Sequence, residues 1–145
     1  MSALFFEDFE TDKSYITDSK VITDKHIMEF AALTGDTNPI HLKKSENDKN
    51  IVHGMLSASI STGQISSLNL TKGTIIALIE QNILYLKPVF PGDTVHTVMK
   101  VINKLATKDS RHGIVEYSYE LITNNNTIAI KGTNRILVKK RNKEL

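Results

Sequence analysis

The segment His53 to Asn69, HGMLSASISTGQISSLN, limits this chain more than any other stretch. Read at 3.6 residues per turn, it carries small or apolar side chains on nearly every face. A helix of that kind must be covered on all sides. Ser57, Ser59, Ser61 and Ser66 are small enough to let other backbones lie close against it. From Thr74 onward the chain is β in character. Thr74 to Leu86 is a long, mostly apolar strand, broken by Lys87-Pro88-Val89-Phe90-Pro91-Gly92. Val95, Thr97, Met99 and Val101 then share one face of a second strand. Val115, Tyr117, Tyr119 and Leu121 alternate with Glu116, Ser118 and Glu120 in a third. Asn124-Asn125-Asn126 signals a turn, and Thr127 to Val138 forms the last strand. The expected architecture is α+β: an antiparallel meander of about four strands around one apolar helix, with a second subunit covering part of the sheet.

Upstream, Thr23 is a candidate N-cap, and Ile27, Phe30, Ala31 and Thr34 recur at helical spacing. Gly35 can close that helix. Asp36 to Asn50 is polar and contains Asn38-Pro39, a turn signal. With 145 residues and no repeat or linker, the chain is expected to form a single domain, residues 1–145. It has no cysteine, which excludes disulfides, thiolate metal sites and a cysteine nucleophile. No stretch reaches the ~18 continuous apolar residues of a membrane span. The acidic N-terminus, MSALFFEDFETDKS, does not read as a secretory signal. A soluble, cytoplasmic protein with no membrane partner is the expectation. The net charge of +2 does not call for a nucleic-acid partner. The last fifteen residues concentrate Lys131, Arg135, Lys139, Lys140, Arg141 and Lys143 against Glu144, a basic tail that reads most simply as a solvated terminus.

One cluster carries chemistry: Gly35-Asp36-Thr37-Asn38-Pro39-Ile40-His41, followed by Ile51-Val52-His53-Gly54-Met55-Leu56. Asp36 falls just past a helix end, and His41 lies five residues on, across a turn set by Pro39. Such a loop can hold a carboxylate and an imidazole on two sides of one water, sharing acid and base duties. Gly54, at the start of the buried helix, can offer a backbone N–H to a carbonyl oxygen that gains negative charge. Taken singly, each residue has a plainer role: Asp36 and Asn38 as turn formers, His41 as a capping histidine, His53-Gly54 as a loop-to-helix junction. A metal held by Asp36, His41 and His53 is chemically conceivable, but no compact ligand spacing appears, and no metal is expected. His26, His96 and His112 read as structural, and no G-x-S-x-G elbow accompanies the serines.

FAALTGDTNPIH, IVHGML and YLKPVFPGD together resemble the (R)-specific enoyl-CoA hydratases, the single-domain MaoC-like members of the hot-dog fold, over residues 21–105. The resemblance implies a homodimer in which each protomer wraps a curved antiparallel sheet around a long central helix. It implies a hydro-lyase (EC 4.2.1.-) that reversibly adds water, syn, to a trans-2-enoyl-CoA and yields the (R)-3-hydroxyacyl-CoA, as in fatty acid metabolism. By position, Asp36 and His41 are the acid–base pair and the Gly54 N–H is the oxyanion donor. Asn38, His53 and Thr62 support them. No cofactor is implied, since coenzyme A belongs to the acyl-CoA substrate. Two departures stand out. LKKSENDKN between His41 and Ile51 is short and polar, with Lys43-Lys44 where relatives carry an acid, and Thr62 occupies a position where relatives often have serine. A 3-hydroxyacyl-ACP dehydratase, another hot-dog thioester enzyme, and a non-catalytic acyl-CoA-binding module remain the alternatives.

Overall fold

The computed structural model describes residues 2–43, 45, 47 and 49–141. Lys44, in the short polar loop after His41, and Lys143 and Glu144, in the basic tail, lie outside the described residues. After a 3₁₀ turn at Phe6–Asp8, the chain forms β1 (Ser14–Ile16), β2 (Lys20–Val21), α1 (Asp24–Thr34) and α2 (Gly54–Ser67). Four long strands complete it: β3 (Ile75–Tyr85), β4 (Thr94–Leu105), β5 (His112–Thr123) and β6 (Ile128–Lys139).

The ends of α1 behave as their residue types require. The Thr23 hydroxyl accepts from the His26 N–H, while His26 Nδ1 accepts from the Thr23 N–H. Gly35 closes the helix at φ 78°, a left-handed conformation in which a side chain is strained, and its N–H donates to the Ala31 carbonyl. Residue 36 therefore leaves the helix at a sharply defined angle.

β4, β5 and β6 are sequential antiparallel neighbours, and their alternation puts Val95, Thr97, Met99, Val101, Val115, Tyr117, Tyr119 and Leu121 inside. The expected meander fails at β3. The chain crosses from β3 to the far side of the sheet before β4 begins, giving the order β1-β4-β5-β6-β3, with β2 also on β4. β3 thus pairs with β6 alone and forms an edge. The short strands β1 and β2, which pattern alone does not reveal, finish the other edge. They are too short for alternation to register.

α2 packs across β4 and β5. The expectation of burial on every face holds for half of it: Leu56, Ser57, Ala58, Ser61 and Gln64 face the sheet, while Met55, Ser59 and Thr62 are exposed. The sheet side is unusually polar and still well bonded. Thr97 Oγ1 lies 2.8 Å from Gln64 Oε1 and 3.1 Å from Ser61 Oγ. Gln64 Nε2 donates to the carbonyls of Val95 (2.9 Å) and Asp18 (3.2 Å). These bonds fix the helix's rotation on the sheet, which a greasy face alone would leave loose. Gln64→Ala takes the amide donor from the buried Val95 carbonyl and an acceptor from Thr97 Oγ1, while the Asp18 carbonyl keeps the Thr17 hydroxyl. We therefore expect a loss of about 1–3 kcal/mol in urea unfolding.

Candidate active site

The loop between α1 and α2 builds the site. Its first turn is made by its own side chains: Asp36 Oδ1 accepts from the Asn38 N–H (3.4 Å), and Asn38 Oδ1 accepts from the Ile40 N–H (3.1 Å). The His41 N–H donates to the Asn38 carbonyl (3.0 Å), so Asp36 and His41 turn to face each other. Their side chains stand 4.0 Å apart, His41 Nε2 to Asp36 Oδ2.

The histidine tautomers follow from their partners. His41 Nδ1 lies 2.9 Å from the Ile51 carbonyl oxygen, which can only accept, so Nδ1 carries the hydrogen. In neutral His41, Nε2 is then a bare acceptor turned toward the Asp36 carboxylate. Two acceptors facing across this gap call for a donor between them, and a water offers one hydrogen to each. By the same chemistry Nε2 of His53, 3.0 Å from the Asp36 carbonyl oxygen, carries a hydrogen. The His53 ring is buried, stacks on His41 at 4.0 Å between centroids, and meets Phe30 edge-on at 4.9 Å. His53 thereby locks the backbone of Asp36 and the plane of His41 together.

Gly54 is the first residue of α2. His53 gives the helix no side-chain cap, so the N–H groups of its first turn are not occupied by one. A Cβ at residue 54 would come within 2.8 Å of the Tyr85 ring, which lies over this helix end. Glycine thus lets the Tyr85 ring lie this close; a side chain here would have to push it aside. A cavity of about 300 Å³ opens here, lined by His41, Gly54, Ser57, Tyr85, Val89 and Ile130 among others. Asp36 stands outside that lining, with its side chain half exposed, so the acid–base gap lies toward the mouth of the cavity and the helix terminus within it.

Asp36, Asn38, His41, His53 and Gly54 are therefore brought together from the sequence-predicted set. Thr62 is not: it is exposed, two turns along α2, with its hydroxyl donating to the Ala58 carbonyl (3.2 Å). Spacing in the sequence shows no compact ligand set, yet the fold brings donor atoms of Asp36, His41 and His53 within 4.8 Å of one another. Both histidine rings already commit one nitrogen to a backbone carbonyl.

Asn50, the Tyr85 ring and the Ile51 carbonyl take parts in the site that the sequence does not assign them, although Ile51 and Tyr85 fall within the IVHGML and YLKPVFPGD segments. Buried Asn50 donates to the His41 carbonyl (2.9 Å) and to Asp24 Oδ1 (3.1 Å), clamping the far end of the loop to the start of α1. Tyr85 arrives from the edge strand, and burial raises its pKa. Polarity within a polar loop hides Asn50, and β character hides Tyr85.

The MaoC-like domain family matches residues 8–124, and the chain belongs to it. An (R)-specific enoyl-CoA hydratase of Aeromonas caviae is 35% identical over 88 residues, a stretch covering 57% of this chain and 64% of that protein. The match thus spans slightly under two thirds of that relative. Another (R)-specific enoyl-CoA hydratase, from Rhodospirillum rubrum, is 30% identical over 109 residues, covering 72% and 74%. Among solved structures, a monoamine oxidase regulatory protein of Archaeoglobus fulgidus superposes with a TM-score of 0.89 at 26% identity, covering 98% of both chains. The sheet wrapped around α2 is the hot-dog fold.

Asn50→Ala should free the loop from α1 and leave the Asp24–His41 connection open. We expect a loss of about 1–3 kcal/mol in thermal or urea unfolding, with Asp24→Ala costing less because the His41 carbonyl keeps its donor.

Proposed function

We propose that the chain is an (R)-specific enoyl-CoA hydratase that adds water reversibly and syn to trans-2-enoyl-CoA. The observation that carries this reading is the gap of 4.0 Å between His41 Nε2 and Asp36 Oδ2, with the histidine's other nitrogen committed to a carbonyl. A water held there has its two hydrogens taken by two bases and its oxygen lone pairs turned outward, toward an incoming Cβ.

The reaction is redox-neutral. The water oxygen bonds to Cβ as one of its protons passes to the Asp36/His41 pair and the C=C electrons move toward the thioester. The pair then delivers a proton to Cα as the enolate collapses, so the hydroxyl and the hydrogen both come from the one water and the pair ends as it began. Negative charge develops on the thioester oxygen in between. The Gly54 N–H at the start of α2 is suited to meet it, where the helix dipole adds to the single donor. His53 holds the pair in place through the Asp36 carbonyl, and Asn38 does so through its N–H to Asp36 Oδ1 and its carbonyl to the His41 N–H. No step needs a redox cofactor, and coenzyme A enters only as the substrate's carrier. The family likeness to hydratases supports the class of reaction, and the loop geometry supports the roles given to these residues.

The expected outcome with purified protein is loss of the enoyl-thioester absorbance of crotonyl-CoA, an (R)-3-hydroxy product, and the same rate with a metal chelator present. Asp36→Asn should lower kcat by at least ~10². A well-folded protein inactive on crotonyl-CoA, longer enoyl-CoAs and carrier-protein thioesters would remove the reading.

The active unit in this reading is a homodimer joined along β3. That strand pairs on one side only and leaves Ile76, Leu78, Ile79 and Leu84 between 47% and 58% exposed. A bare, apolar, eleven-residue edge is a liability in a lone chain, and a second antiparallel copy of the same strand satisfies both its backbone and its side chains. Sedimentation should give twice the monomer mass, and Ile79→Lys should shift the equilibrium toward monomer.

A further inference from the structure

Several hydroxyls of α2 are accounted for within the protein, and Ser57 breaks the pattern. Ser59 donates to the Met55 carbonyl (2.7 Å), Thr62 to the Ala58 carbonyl (3.2 Å), Ser67 to the Gln64 carbonyl (2.6 Å), and Ser61 bonds Thr97. Ser57 is 2% exposed, and its Oγ has no hydrogen-bond partner among the described residues. The corresponding i−4 carbonyl, that of His53, takes the Ser57 N–H at 3.0 Å but not its hydroxyl, unlike the i−4 bonds that Ser59 and Thr62 make. An unpaired buried hydroxyl is costly to fold around, so its presence asks for a partner that arrives from outside.

The direction of that partner is given by the fold. Ser57 lines the same cavity as His41 and Gly54. It stands three positions after Gly54, which places the two on one helix face, and helical side chains tilt back toward the N-terminus. The hydroxyl therefore leans toward the helix end that Gly54 opens. An alanine here would be the better helix former and would leave nothing unpaired. The site carries a polar atom where packing alone favours none.

We propose that Ser57 is a further catalytic residue, whose hydroxyl donates a hydrogen bond to the thioester oxygen of the bound acyl group beside the Gly54 N–H. This rests on the hydratase reading of the pocket. With one backbone donor and one side-chain donor, the oxygen that gains charge during water addition meets two hydrogens. Its bond to Ser57 strengthens as the charge grows.

The test compares wild type with Ser57→Ala and, at nearly constant volume, Ser57→Cys. The expected result is kcat on crotonyl-CoA reduced about tenfold in both variants with KM little changed, as for a donor used mainly in the transition state. Ser57→Ala should melt at the same temperature as wild type or higher, because it removes an unpaired buried hydroxyl. Unchanged kinetics with a lowered melting temperature would assign Ser57 a packing role and overturn the proposal. Equal kinetics and equal stability would overturn it too. If wild type hydrates nothing, the hydratase reading fails first, and Ser57 is then judged by calorimetric binding of butyryl-CoA, a saturated thioester. Weaker binding by both variants would keep the hydroxyl as a thioester ligand, whereas equal affinity, or no binding by any of the three proteins, would end it.

Discussion

The hydrogen bond from His53 Nε2 to the Asp36 carbonyl, 3.0 Å long and closed over seventeen residues, is the constraint on which the site depends. It joins the exit of α1 to the entry of α2. Because the same ring stacks on His41, it also sets the plane of the imidazole that faces Asp36. A histidine suits this position for a physical reason: one side chain must donate to a backbone oxygen, pack flat against a second ring, and accept burial without a fixed charge. Its Nδ1 is left without a partner among the described residues, as is the Ser57 hydroxyl one turn further along.

A second constraint comes from how α2 meets the sheet. Thr97, Gln64 and Ser61 form a closed, satisfied network, so the helix has one permitted rotation. That rotation turns Gly54 and Ser57 toward the cavity and leaves Thr62 outside it. An apolar interface of equal area would tolerate sliding, whereas directional bonds do not. The geometry at the helix N-terminus is thereby set from its other end. Tyr85 completes the arrangement by lying over residue 54, where a Cβ would come within 2.8 Å of its ring.

In the proposed homodimer, the edge strand links the site to assembly. β3 supplies Tyr85 to the cavity and, over much of its length, an apolar surface that the other described residues leave half exposed. One strand therefore serves both packing problems, and its position at the sheet edge is a consequence of the crossover that puts β4 on the far side.

Much of this is legible in the residues themselves. Period-two alternation places β5 and its inward face, because a strand's side chains alternate wherever the chain goes. Thr23 and Gly35 bound α1, because capping is settled within four residues. Asp36, Asn38 and His41 can be read as one turn for the same reason of locality. Tertiary structure decided the rest. Alternation is blind to which strand is neighbour to which, so the sequence suggests a meander where β3 sits beside β6. Small residues on every face suggest a wholly buried helix, yet burial depends on what lies opposite, and half of α2 faces outward. Asn50, Tyr85 and the meaning of Ser57 lie beyond pattern altogether, since a residue's hydrogen-bond partner, or its lack of one, exists only once distant segments have been brought together.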